Sequence, residues 1–341
     1  MRVYFSLAIL IPLYSCQNDS TTEELIPEKE EAYNFVIPEG FPTPEFPSDY
    51  EITSSKVELG KKLFFDPALS KDSTVSCSSC HHPQYAFSDT VRFSIGVNDS
   101  LGQRNAPPLF NLLWHESFMR DGGVPTVARQ VLSPLQDERE MHSAMEEVIH
   151  RLNRSPVYQP LFEEAFGDTV NAFTLTRALE AFELTLISAN SPFDRYYYRK
   201  EEYAISSSAK RGWELFQSSK LNCVSCHSGP NFTNEKYECN GLYLEYQDEA
   251  RARITHEDAD FGRFKVPSLR NLVFTAPYFH DGSARTLDEV INHYQKGGAE
   301  HPNQSNLVKG FELKEQERED LKAFLISLSD STFVNDATFR P

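Results

Sequence analysis

Two short stretches of the chain share one pattern: Cys77-Ser78-Ser79-Cys80-His81 and Cys223-Val224-Ser225-Cys226-His227. Thiols three positions apart lie one helical turn from each other, a spacing that lets both form thioethers with the two vinyl groups of one haem. The histidine that follows then sits under the iron as proximal ligand. A zinc site would need four ligands in one cluster, which two boxes 146 residues apart do not obviously supply. A redox disulfide within CxxC does not require the histidine. The pattern predicts two covalently bound haem c groups, one on Cys77, Cys80 and His81 and the other on Cys223, Cys226 and His227.

The elements that must hold these boxes also occur twice. Gly60-Lys61-Lys62-Leu63-Phe64 precedes the first box and Gly212-Trp213-Glu214-Leu215-Phe216 the second, at an offset of 152. Further on, Pro107, Leu109, Asn111, Leu112, Asp121, Gly122 and Thr126 recur as Pro267, Leu269, Asn271, Leu272, Asp281, Gly282 and Thr286, all offset by 160. Identities kept in register indicate a duplicated domain. Residues 56–65 place Val57, Leu59, Leu63 and Phe64 largely on one helical face. Segments 143–152, 174–188, 207–216, 286–295 and 314–328 also read as helices, with Ser143 and Glu146 forming a capping box. The expected fold is mainly α: two cytochrome c-like haem domains related by internal duplication, with long loops. The N-terminal domain is assigned to 49–200 and the C-terminal domain to 201–341, divided near Arg199-Lys200-Glu201-Glu202.

Arg2, an apolar run from Val3 to Leu13 and Tyr14-Ser15-Cys16 read as a signal peptide over 1–16 that ends in a lipoprotein-like box. The run is too short to span a bilayer as a helix. Residues 17–48, rich in Glu, Pro, Ser and Thr, read as a flexible tether. The chain is thus expected to be exported to the periplasm and held at a membrane by a lipid anchor only. Its formal net charge is −17, and removing residues 1–15 removes only Arg2, leaving 32 basic against 50 acidic residues. Such a surface disfavours nucleic acid and suits a basic soluble partner. Cys239 is left without an obvious partner and is expected to be a buried thiol.

The paired haem boxes, the Asp-Gly repeats and most of residues 55–330 resemble the bacterial dihaem cytochrome c peroxidase and MauG superfamily. The resemblance implies a peroxide-reactive N-terminal haem and an electron-relaying, six-coordinate C-terminal haem. It places the catalytic glutamate at Glu140 and the distal glutamine at Gln130. It puts a buried calcium between the haems, on the Asn105 side chain and the Thr275 and Pro277 carbonyls, and oxygen ligands suit that hard cation. It caps the second iron with Tyr294, for which His293 is the rival ligand. The 160 offset maps Tyr294 onto Pro134, which has no side-chain ligand to offer. Three positions depart from the family. Val97 stands in Ser94-Ile95-Gly96-Val97 where some members carry a removable histidine. Tyr294 replaces the methionine of the peroxidases. Arg120 replaces the inter-haem tryptophan, with Trp114 nearby in sequence.

The leading expectation is a peroxidase that takes hydrogen peroxide and a small donor protein, either a cytochrome c or a copper protein. Glu140 would move the proton between the peroxide oxygens. A MauG-like enzyme that oxidises a protein or organic substrate is the second reading, and a plain dihaem electron carrier the third. A homodimer is left open. His82, His115, His142, His150, His256 and His301 are read as polar surface or loop residues, and Tyr196, Tyr197 and Tyr198 as domain packing. His280, the counterpart of Arg120, is expected near a haem propionate.

Overall fold

The structure is a computed structural model and describes residues 1–3 and 30–341. The signal segment, Cys16 and the first part of the expected tether lie outside the described residues. Residues 32–341 form one unit. Its helices are α1 (Ser54–Phe65), α2 (Val127–Gln130), α3 (Leu132–Gln136), α4 (Met145–Asn153), α5 (Tyr158–Phe166), α6 (Ala172–Leu184), α7 (Pro192–Tyr197), α8 (Ser207–Gln217), α9 (Ala252–Thr255), α10 (Leu287–Lys296), α11 (Glu315–Ser327) and α12 (Ser331–Asn335). Strands β1 (Tyr237–Glu238) and β2 (Phe264–Lys265) pair antiparallel, with Tyr237 opposite Lys265. Among the described residues no helix is long and apolar enough to cross a membrane.

The duplication is visible in the packing. Gly60 on α1 lies so close to α6 that a Cβ there would come within 1.8 Å of the Ala178 carbonyl oxygen. Gly212 on α8 meets the Asp320 carbonyl of α11 in the same way, at 1.9 Å. Only glycine permits backbones to approach this closely. The Asn111 backbone N–H donates to Leu186 O, and its repeat Asn271 donates to Leu328 O. Both asparagines adopt positive φ, the left-handed conformation that this residue type tolerates. Thr126 caps α2 and Thr286 caps α10, each accepting a backbone N–H three residues on.

Each half has its own apolar core. The first gathers Leu63 and Phe64 of α1, Leu175, Leu179 and Phe182 of α6, and Phe87 and Phe110 from the loops. The second gathers Phe193, Phe216, Phe324, Leu321 and Phe232. Phe333 and Val334 of α12 pack in the first core, although they follow the whole second half.

The structure corrects several expectations. The expected tether is not free along 32–48. Phe41 is buried, Tyr33 and Phe35 pack on the first core, and Trp114 Nε1 donates to Pro42 O at 2.7 Å. Arg270 lies over the Phe41 ring. Apolar side chains in this stretch supply the burial that its overall composition conceals. Ser143 does not cap α4. Ala144 is the capping position and makes no side-chain bond, while Ser143 donates its backbone N–H to Leu135 O. Helix α6 ends at Leu184 rather than 188, because the segment beyond turns to pair with Asn111. Ser188 N–H donates to Asn111 Oδ1, and Asn111 Nδ2 donates to Ser188 O. His115 and His301 lie in loops, as read from the sequence, with their rings engaged: His115 Nδ1 meets Glu235 at 2.8 Å, and His301 is buried beside Cys239 Sγ at 3.7 Å. Cys239 is fully buried. Tyr197 stacks on Phe193, and Tyr196 packs on the second core.

Candidate haem sites and the junction between them

Each box begins in a single 3-10 turn, Cys77–Ser79 in the first half and Cys223–Ser225 in the second. The turn closes with the histidine N–H donating to the first cysteine's carbonyl, at 3.0 Å for His81 and 2.9 Å for His227. All four thiols are free. Burial raises the pKa of each, to about 11 at Cys80 and Cys226 and about 12 at Cys223. They are therefore neutral thiols at pH 7.

The two histidines are held identically. His81 Nδ1 lies 2.8 Å from Phe87 O and His227 Nδ1 lies 3.0 Å from Phe232 O. A carbonyl can only accept, so Nδ1 carries the proton and the Nε2 lone pair is left for a metal. Burial keeps both rings neutral, lowering His227 to about 4. Phe87 and Phe232 both have positive φ, which turns their carbonyls toward the rings. Thiols outside any disulfide and a fixed histidine tautomer both fit haem c.

The regions expected beyond the irons differ between the halves. In the second half, α10 runs unbroken through Tyr294. Burial raises the Tyr294 hydroxyl to about 12, the Asn240 side chain opposes this, and the charges of Cys226 and Cys223 add to it. Tyr294 therefore lies by the second box. His293, its rival, directs Nε2 to Asn240 O at 3.0 Å instead. In the first half the equivalent helix is split into α2 and α3 around Val131. Pro134 accounts for the break: it has no N–H to give Gln130 O, and its ring would clash with that carbonyl. The proline thus interrupts the helix at the place that corresponds to Tyr294.

Glu140 lies beyond α3, and its charge acts on both Cys77 and Cys80. Burial raises its carboxyl to about 7, with the Asp137 charge adding to the shift. Its carbonyl accepts from Val97 N at 2.9 Å. Val97 is itself buried in the first core, and Gly96 leaves no room for a Cβ beside the Arg139 and Glu140 carbonyls. The loop ending in Gly96 and Val97 is therefore fastened to the backbone of Glu140. Gln130, on α2, donates from Nε2 toward Met119 Sδ at 3.8 Å.

Sequence reasoning missed two carboxyls on α6. Glu180 Oε1 accepts the Ala128 N–H at 3.1 Å and so anchors the start of α2. Glu183 is 3% exposed, and its Oε2 has no hydrogen-bond partner among the described residues. Burial, and then the Glu180 charge, raise Glu183 to about 8. Glu180 and Glu183 stand three residues apart on one side of α6, and two carboxyls on the same side of a largely apolar helix were the available signal.

The junction between the halves is made of arginines. Asp121 receives Arg104 of its own half and Arg253 of the other, at 2.7 and 2.6 Å. Asp281 receives Arg92 of the first half at 2.6 Å and the Tyr243 hydroxyl at 2.7 Å. Arg104 also pairs with Asp248. Arg120 donates from Nε to Asn105 O and from Nη2 to Asn105 Oδ1, both at 2.8 Å. Burial, and then the Arg104 charge, lower Arg120 to about 10, which leaves it charged at neutral pH.

These contacts do not fit the expected calcium. The Asn105 side-chain oxygen already accepts from a guanidinium, and Thr275 and Pro277 would add only neutral carbonyls. A calcium ion about 2.4 Å from Oδ1 would lie no farther than roughly 5 Å from Nη2. At an effective dielectric of about 20 the two charges repel by roughly 6 kcal/mol. His280 does not mirror Arg120's contacts. It stacks on Phe264 at 4.0 Å, and its carbonyl accepts from Asn105 N.

Fold and boxes together define a double cytochrome c, in which each half carries one haem-attachment site. Residues 54–202 match the family model described as di-haem cytochrome c peroxidase, and residues 209–329 match that of cytochrome c. The methylamine utilization protein MauG of Methylorubrum extorquens is 40% identical over 298 residues, 86% of this chain and 83% of that protein. The cytochrome c551 peroxidase of Pseudomonas aeruginosa is 33% identical over 288 residues, 82% of this chain and 80% of that protein. A solved MauG-like protein associated with microbial copper homeostasis matches with a TM-score of 0.86 at 31% identity, covering 91% of this chain and 99% of that one. The chain belongs to the dihaem cytochrome c peroxidase and MauG family of oxidoreductases, which implies two c-type haems.

Proposed function

We propose that the protein reduces hydrogen peroxide to water at its N-terminal haem, with electrons relayed through the C-terminal haem. The observation that carries this reading is the asymmetry of the halves: Pro134 stands where the second half has Tyr294, and Glu140 lies by the first box. When bound, the first haem supplies an iron with a coordination position free for peroxide.

Glu140 takes the proton from the inner peroxide oxygen and returns it to the outer one, for which a carboxyl with a pKa near 7 is suited at neutral pH. Gln130 would offer an amide N–H to the peroxide. Pro134 keeps the position clear of protein ligands, and Val97 adds none. His81 and His227 would ligate the two haem irons, and Tyr294 would ligate the second. Glu180 positions α2, and with it Gln130. The acidic surface, with a net charge of −17, suits a small basic donor, a cytochrome c or a copper protein. The leader and Cys16 support export to the periplasm with attachment by lipid. Tyr294 in place of methionine favours a second reading, a MauG-like oxidation of a protein or organic substrate.

The deciding experiment is peroxide consumption by the holoprotein with reduced cytochrome c, reduced cupredoxin or no donor. Donor-dependent turnover that Glu140→Gln abolishes supports the peroxidase. Peroxide reactivity without turnover of any donor moves the assignment to the MauG-like reading.

A further inference from the structure

We infer that the guanidinium of Arg120 is the resident cation of the junction between the two halves, and that this chain binds no divalent metal ion there. The Arg120 fork closes on a single residue, with Nε on the Asn105 carbonyl and Nη2 on its side-chain oxygen, both at 2.8 Å. Asn105 is 3% exposed, and its own donors are engaged. Its Nδ2 bonds Val91 O at 3.1 Å, which fixes the amide with Oδ1 toward the arginine. Its backbone N–H bonds His280 O in the second half at 2.9 Å. Arg120 returns the tie by accepting Lys265 N–H of β2 on its carbonyl, at 2.8 Å. The guanidinium thus ties two first-half loops to each other, and each of those loops is bonded through its backbone to a second-half segment; holding the two loops together is a task that a bound cation could perform.

The surroundings leave no charge for a second cation. A divalent ion in such a place needs oxygen ligands, and carboxylates among them raise its affinity. The three nearby aspartates are engaged by other arginines: Asp121 by Arg104 and Arg253, Asp248 by Arg104, and Asp281 by Arg92. Among the described residues Arg120 itself enters none of the ion pairs, so its charge stays unneutralised by any carboxylate in contact. A dication would have to displace Nη2 from Oδ1 and then remain beside the group it displaced. A guanidinium also cannot be lost to a chelator, so the junction is indifferent to calcium supply.

The test measures metal and stability together on the holoprotein. Wild type and the variants Arg120→Gln and Arg120→Trp are each dialysed against EGTA, then against millimolar calcium. Calcium content is read by mass spectrometry and unfolding temperature by the haem absorption. Wild type is expected to carry no calcium that EGTA removes and to unfold at one temperature in both buffers. At least one variant is expected to gain one calcium per chain and to unfold several degrees higher when calcium is present. The inference is overturned by a wild type that loses one calcium and several degrees in EGTA. It is overturned equally if both folded variants ignore calcium as the wild type does. Should neither variant fold, the wild-type comparison decides alone.

Discussion

Replacing Glu140 by Gln removes one ionisable proton while keeping the shape of the side chain. An ordinary glutamate is ionised across neutral pH, but burial and the Asp137 charge hold this one near 7. The carboxylate is the form that accepts a proton, so the rate of peroxide reaction should follow its fraction. With a pKa of about 7 that fraction is roughly one-tenth at pH 6, one-half at pH 7 and nine-tenths at pH 8. The wild-type rate should therefore rise about tenfold from pH 6 to pH 8. Glu140→Gln should lower it on the order of 10²–10⁴-fold and flatten the profile. Asp137→Asn, which removes the second cause of the raised pKa, should move the inflection to lower pH. Stopped-flow absorption of the first haem, mixed with peroxide across this range, reads all three. A Gln variant that keeps both the rate and the inflection would place the proton transfer on another group.

Glu183, raised by burial to about 8, should make the fold lose stability as pH rises from the ordinary glutamate range through about 8, because unfolding lets it ionise. Glu183→Leu, which copies the aligned Leu325 of the second half, should abolish that loss in thermal melts from pH 5 to 9; an unchanged slope would show that the carboxyl is not the cause. Tyr294→Phe should alter only the low-spin electron paramagnetic resonance signal of the second haem and leave a high-spin first haem unchanged; an effect on both signals would contradict the assignment. Arg270→Met leaves Asp194 buried and without its bidentate partner, and should cost on the order of 3–5 kcal/mol in denaturant unfolding. A loss below about 1 kcal/mol would mean that Asp194 finds water or another donor.

The chemistry of the boxes was legible because it is local: five consecutive residues hold two thiols and an imidazole in one turn. The long helices were legible from their apolar period, and Val57, Leu59, Leu63 and Phe64 are all buried as that period requires. What escaped was set by distant partners. Helix α6 stops at Leu184 because of Asn111, more than seventy residues earlier. The Asp-Gly repeats were visible, but not that Asp121 and Asp281 each take an arginine from the opposite half. The charge at Arg120 was conspicuous, yet its destination on Asn105 depends on the two loops meeting. Ser143 had the right spacing for a cap, but its N–H goes to Leu135 O and the helix starts beyond it.

Helix α12 bears on the order of events as the protein is made. Phe333 packs against Phe87 and Phe110 in the first core, with ring centroids 5.9 and 6.2 Å away. Phe87 is the residue whose carbonyl orients His81. A nascent chain supplies residue 333 only after the entire second half has been synthesised. Until then the first core lacks one wall, so the two halves cannot finish folding independently of each other.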